Sequence, residues 1–209
     1  MATTLVVAGL SDYKRREVDD KVWVLGGVLV FPLVLLQVFA ERLPLELYIA
    51  SILVGVLTAV LVLRFGMMGE ADAIALVFIV FAVPPTLQNM LTLFPLASIV
   101  VLAGVASLGF VLYNVYYNLR GHASFPGGTP SYLKIIALMS MRFVKLEEYH
   151  RKSYMYAPVE SLSIQSLMKA QQTAETPGKD KFWALVYLPY VTLLATGYLL
   201  YLFLKYCVF

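Results

Sequence analysis

The chain alternates between long apolar runs and short charged clusters. Runs almost free of charge occupy residues 22–40, 45–65, 71–87, 91–117 and 182–206, and a shorter one precedes Ser11. At 1.5 Å of helix per residue, about 20 residues cross the roughly 30 Å hydrocarbon core of a bilayer. The pattern therefore predicts an all-α polytopic membrane protein with six transmembrane helices. The N-terminal run counts as the first of them, because it lacks a basic leading segment and is followed by charge rather than by a small-residue cleavage site. Residues 1–119 hold spans one to five, residues 120–181 form a small cytoplasmic segment between spans five and six, and residues 182–209 carry the sixth.

Within residues 120–181, Phe125-Pro126-Gly127-Gly128-Thr129-Pro130 is a linker by its turn chemistry. Leu133, Ile136, Leu138, Met139 and Met141 suggest a short helix lying against the membrane. The mixed aromatic and charged stretch at 143–159 is compatible with one or two strands, and 171–180 reads as a loop.

Composition supports the membrane reading. Hydrophobic residues make up 60% of the chain and charged ones 14%, against about a quarter charged in soluble domains. A net charge of +3 is small for a nucleic-acid binder, so no nucleic-acid partner is expected. The lone Cys207 excludes an intrachain disulfide or a four-cysteine zinc site, and no metal or cofactor is expected. Charge distribution sets the orientation. If the loop between spans one and two is cytoplasmic, all 16 Lys and Arg except Arg42 and Lys205 fall on that side. The positive-inside rule then puts both termini outside.

Two spans are too short, and each carries an aspartate at its short end. Asp12 follows an N-terminal element of only about 16 Å. Asp72 opens a run that Pro84-Pro85 closes early. Opposite helix directions place both carboxylates at the cytoplasmic side and at similar depth, with Lys14, Arg15 and Arg16 reaching back to the interface. An ionisable group in that setting is a functional candidate. Two carboxylates in reach of one another share a proton, so one can activate water while the other protonates a carbonyl oxygen. Capping is the plainer reading for any one of them: Asp72 suits a helix start, and Asp19 and Asp20 precede the second span. An ion pathway through the same carboxylates, or a non-catalytic subunit of a secretion machine, are the rival functions.

Gly69-Glu70-Ala71-Asp72 matches a Gly-x-hydrophobic-Asp motif. In the segment Ser11 to Trp23, an aspartate precedes a basic cluster, then Arg16-Glu17-Val18-Asp19-Asp20, then a span with an early Trp. In these features the chain resembles archaeal preflagellin and type IV prepilin peptidases, membrane aspartyl proteases of the Gly-x-Gly-Asp class. The match covers about residues 1–120 well and the rest only in layout. The resemblance implies that Asp12 and Asp72 are the catalytic pair and that Gly69 allows close backbone approach. Its implied substrates are preflagellin or prepilin subunits with short basic leaders, whose hydrophobic helix lies in the membrane lipid. Glu17, Asp19, Asp20 and Glu70 are candidates to face such a leader, and each is equally readable as a solvated or capping charge. Ala71 stands where the wider class has its second glycine, which makes presenilin-like relatives a poorer match. A single cysteine gives no ground for the zinc domain or methyltransferase activity of many bacterial relatives.

Overall fold

The computed structural model describes residues 1–40, 44–66, 68–121, 123–159, 162 and 180–207. The loop expected over 171–180, apart from Asp180, lies outside them, as does Arg42. The chain forms two compact units, Met1–Ala106 with Pro189–Phe209, and Ser107–Leu188.

The first unit contains α1 (Ala2–Arg15), α2 (Asp20–Ala40), α3 (Leu45–Arg64), α4 (Glu70–Ala82), the single turn α5 (Met90–Leu93), the first part of α6 (Pro95–Arg120) and a C-terminal helix over Tyr190–Cys207. Four of these helices, α2, α3, α6 and the C-terminal one, are long and apolar enough to cross a membrane. At 14 and 13 residues, α1 and α4 are shorter, and α4 spans only about 20 Å.

The run from 71 was expected to close at Pro84-Pro85, or at Leu87 across a proline kink, and α4 ends at Ala82, just before the proline pair. Val83 leaves the helical region (φ −126°, ψ 87°), as the residue before a proline is disfavoured there. The same preference splits the run at 91–117: Phe94 is out of the helical region (φ −122°, ψ 66°) before Pro95, and Pro95 starts α6 as a first-turn proline. Helix α4 is apolar all round and mostly buried, because α2, α3 and the C-terminal helix all pack on it. Trp23 of α2 seats its ring 5.5 Å from Phe78 of α4. The C-terminal helix approaches α6 closely at Gly197, where a Cβ would fall 2.5 Å from the Ile99 carbonyl oxygen and 2.7 Å from the Ala103 nitrogen.

The second unit corrects the all-α expectation. It carries the end of α6, α7 (Ser131–Ser140), β1 (Met141–Lys145), α8 (Leu146–Arg151), β2 (Tyr156–Pro158) and β3 (Lys181–Val186). The C-terminal helix is therefore α9, and it begins at Tyr190 rather than at Phe182. The strands form one antiparallel sheet in the order β1-β3-β2, with Phe143 opposite Trp183 and Ala157 opposite Leu185. Alternate side chains of β3 feed two clusters. Phe182, Ala184 and Val186 join Val144, Tyr149 and Tyr156 on one side, while Trp183 meets Ala137, Met141 and Ala157 on the other.

Helix α6 supplies polar side chains to this unit. Asn118 is buried and acts as a strand partner for β1, donating to the Met141 carbonyl at 2.7 Å and accepting from the Phe143 amide at 3.0 Å. Buried Arg142 donates through Nε to Asn114 at 2.8 Å and lies over the rings of Tyr113 and Tyr117. Glu148 accepts from Tyr117 at 2.7 Å and from Tyr156 at 3.1 Å. A buried cation is tolerable when its donors and its ring contacts are satisfied in this way.

Candidate active site

Asp12 lies on the packed face of α1. Leu5, Ala8, Gly9 and Asp12 recur at helical spacing and are all buried, Asp12 being 7% exposed. That face meets α9. Gly9 sets how near the helices come, since a Cβ there would lie 3.2 Å from both Ala195 Cβ and Thr192 Cα. At this approach the first turn of α9 reaches the carboxylate. The Thr192 amide donates to Asp12 Oδ2 at 3.1 Å, and the Thr192 hydroxyl lies 3.3 Å from the same oxygen and 2.7 Å from the Gly9 carbonyl. First-turn amides have no partner inside their own helix, so a carboxylate is a natural acceptor for them.

Helix α1 ends just beyond Asp12. Arg16 adopts the left-handed conformation (φ 59°, ψ 21°), and its amide donates to the Asp12 carbonyl at 2.9 Å. Among the described residues it is the only one other than glycine with positive φ, a conformation that costs about 1–2 kcal/mol for an L-residue. Ser11 steadies the turn by donating to the Glu17 carbonyl at 2.8 Å.

Asp72 stands in the first turn of α4, where its Oδ2 accepts from the Gly69 amide at 3.0 Å. It therefore does cap the helix start, as its position in the sequence allowed. The cap does not isolate it from Asp12. The Asp12 charge acts on Asp72, and the Arg16 charge and the backbone N–H of Val191 act on both carboxylates. The helix starts of α4 and α9 and one guanidinium thus surround two carboxylates with positive charge and donors. Arg16 was expected to reach toward lipid headgroups with Lys14 and Arg15; instead it is half-buried beside the aspartates, while Lys14 and Arg15 are exposed.

Glu17, Asp19, Asp20 and Glu70 are all exposed. Asp19 caps α2, accepting from the Lys21 amide at 2.9 Å. Gly69 is exposed with an ordinary extended backbone (φ −77°, ψ 168°). Among the described residues beyond its chain neighbours, a Cβ at Gly69 would meet Asp72 Oδ2, at 3.5 Å, so glycine leaves open the space beside that carboxylate. Ala71 is half-buried. Among the described residues no group of three or more His, Cys, Asp or Glu side chains is placed to hold a metal.

Thr192 and Val191 were not singled out from the sequence. The signal was Pro189, which marks a helix start three residues before Thr192, inside a run that reads as apolar from 182 onward.

The model of the type IV leader peptidase family matches residues 1–117, a stretch that includes both aspartates and α1 to α5. The chain belongs to the type IV leader peptidase family. No curated protein matches it. As a member of this family it is an aspartic peptidase that cleaves type IV leader peptides, and its substrates are leader-bearing proteins. Its apolar helices make it a membrane protein.

Proposed function

We propose that Asp12 and Asp72 are the catalytic pair of this leader peptidase, and that it trims short basic leaders from preflagellin- or prepilin-like subunits at the cytoplasmic membrane face. The observation supporting this reading is the common surrounding of the two carboxylates: the Arg16 charge and the Val191 amide act on both, and the Asp12 charge acts on Asp72. One guanidinium beside two carboxylates favours a pair holding one net negative charge and one shared proton. The ionised member accepts a proton from water as that water attacks the scissile carbonyl carbon. The protonated member donates to the carbonyl oxygen, and the resulting tetrahedral species collapses with proton transfer to the leaving amine.

Depth and orientation follow from length and charge. Short α1 and α4 count as the first and fourth of six spans, drawing Asp12 and Asp72 below the interface. The concentration of Lys and Arg on the loops at that end makes it cytoplasmic, with both termini outside. A substrate's hydrophobic helix then lies in the lipid and offers its cytoplasmic end, where the leader begins, to the two carboxylates. Exposed Glu17, Asp19, Asp20 and Glu70 are the acids available to a basic leader.

Co-expression with a leader-bearing subunit, followed by mass spectrometry of that subunit, tests the pair. Asp12→Asn and Asp72→Asn should each leave the leader uncut while the protein still inserts. A trimmed leader with either variant removes that residue from the pair.

A further inference from the structure

The hydroxyl of Thr192 has two acceptors and one proton. Its Oγ1 lies 2.7 Å from the Gly9 carbonyl and 3.3 Å from Asp12 Oδ2, while the Thr192 amide donates to the same Oδ2 at 3.1 Å. A hydroxyl donates once and accepts through either lone pair. The amide can only donate, and it serves an ionised carboxylate best.

We propose that Thr192 is a positioning residue of the aspartyl site, whose hydroxyl reverses its hydrogen bond so that Asp12 is matched in both its ionised and its protonated forms. When Asp12 is ionised, the hydroxyl points its proton at Oδ2 beside the amide. When Asp12 carries the shared proton, Oδ2–H donates to Oγ1, and the hydroxyl proton turns to the Gly9 carbonyl. Only a rotation about the Thr192 Cβ–Oγ1 bond separates the two states. An aspartyl pair must pass a proton between its members in each turnover, so a partner that fits one form alone would hold the pair in that form. The close approach at Gly9 brings both acceptors within reach of the one hydroxyl. Arg16, whose charge also acts on Asp12, offers no such reversal because a guanidinium only donates, and Asp72 is the other member of the proposed pair.

The inference rests on the reading of Asp12 and Asp72 as the catalytic pair, and the test separates the two. Cleavage kinetics would be measured on the purified full chain in detergent, with a leader-bearing substrate, for Thr192→Val, Thr192→Ser, Thr192→Ala, Asp12→Asn and Asp72→Asn. Thr192→Val keeps shape and the amide bond but lacks the hydroxyl. It should lower kcat roughly tenfold or more with KM within about twofold, as loss of one hydrogen bond to a reacting group does. Thr192→Ser should restore kcat to within about threefold of wild type. A threonine that only ties α1 to α9 would give a lower Tm with normal kcat in the folded fraction, and that result overturns the proposal. So does a serine variant as slow as valine. If the valine variant does not fold, the serine and alanine variants carry the same comparison. Cleavage by Asp12→Asn would remove the pair and this role together, whereas inactive Asn variants beside a fully active Thr192→Val would remove only the role of Thr192.

Discussion

Thr192 meets Asp12 across 180 positions of sequence, with its amide 3.1 Å and its hydroxyl 3.3 Å from one carboxylate oxygen. The contact depends on α1 and α9 lying close enough for a first-turn amide to reach a last-turn side chain. Gly9 is the residue that permits it.

Gly9→Val should therefore act on the site through helix spacing. Even a Cβ would lie 3.2 Å from Ala195 and Thr192, and the two further methyl groups have no room. Overpacking of this kind costs about 1–3 kcal/mol. Lower Tm in detergent together with a loss of cleavage is the expected result, with Gly9→Ala milder on both counts. Normal activity in Gly9→Val would show that helix spacing does not govern the carboxylate.

Gly69→Val should behave differently, because among the described residues beyond its chain neighbours a Cβ at Gly69 would meet just Asp72 Oδ2, at 3.5 Å. The backbone there suits any residue, so Tm should change little. A side chain beside the Asp72 carboxylate should nevertheless obstruct a substrate peptide, lowering kcat/KM by roughly tenfold or more, with Gly69→Ala intermediate. Unchanged kinetics would mean that substrate approaches Asp72 from another side.

Arg16 combines a left-handed backbone with a charge that acts on both carboxylates. Two variants separate these properties. Arg16→Gly relieves the backbone and removes the charge, whereas Arg16→Lys keeps the charge and the strain. If the charge matters, Arg16→Gly should lose roughly tenfold or more of kcat/KM and Arg16→Lys should keep a larger share. The reverse order would assign Arg16 to chain geometry alone.

Recognition of a basic leader should be spread over several acids. Glu17, Asp19, Asp20 and Glu70 are exposed, and exposed charge pairs contribute about 0–1 kcal/mol each and are screened within about 8–10 Å at ordinary ionic strength. Changing them singly to Gln or Asn should alter cleavage by no more than a few fold. Changing them together should raise KM more than it lowers kcat, and added salt should mimic that effect. A combined variant that cleaves basic-leader and neutral-leader substrates like wild type at low salt would transfer selectivity to the substrate's hydrophobic helix.

The second unit should loosen at alkaline pH through Tyr156. Burial raises its phenol above the ordinary value of 10.0, with Arg142 opposing and Glu148 adding to the shift. A phenol that holds its proton more tightly in the folded state contributes stability that is complete below about pH 10 and is lost as pH rises through the folded value. Melting followed by tryptophan fluorescence should show a steeper alkaline fall in wild type than in Tyr156→Phe. Parallel curves would place the alkaline sensitivity elsewhere.

The sequence by itself determined the class of the protein and singled out Asp12 and Asp72 as the candidate pair. Long charge-free runs have few solutions other than membrane helices, and the Asp12 and Asp72 segments carry their motif in local spacing. Proline also acts locally: Pro84-Pro85 marked the early end of α4 in the sequence, whereas the break at Pro95 was passed over, and Pro32 stays inside α2, so a proline alone does not say whether a helix ends there. The sheet was half legible: 143–159 suggested strands, but β3 is an apolar segment that joins an apolar helix, and hydropathy cannot separate the two. Only the tertiary structure decided what surrounds the carboxylates. Thr192, Val191 and Arg16 acquire their places from the packing of α1 on α9, from the left-handed turn after Asp12 and from the seating of α4 against α9. Those are distances between segments far apart in sequence, fixed by the absence of a side chain at Gly9 and by which helix faces fit together, and no periodicity along the chain encodes them.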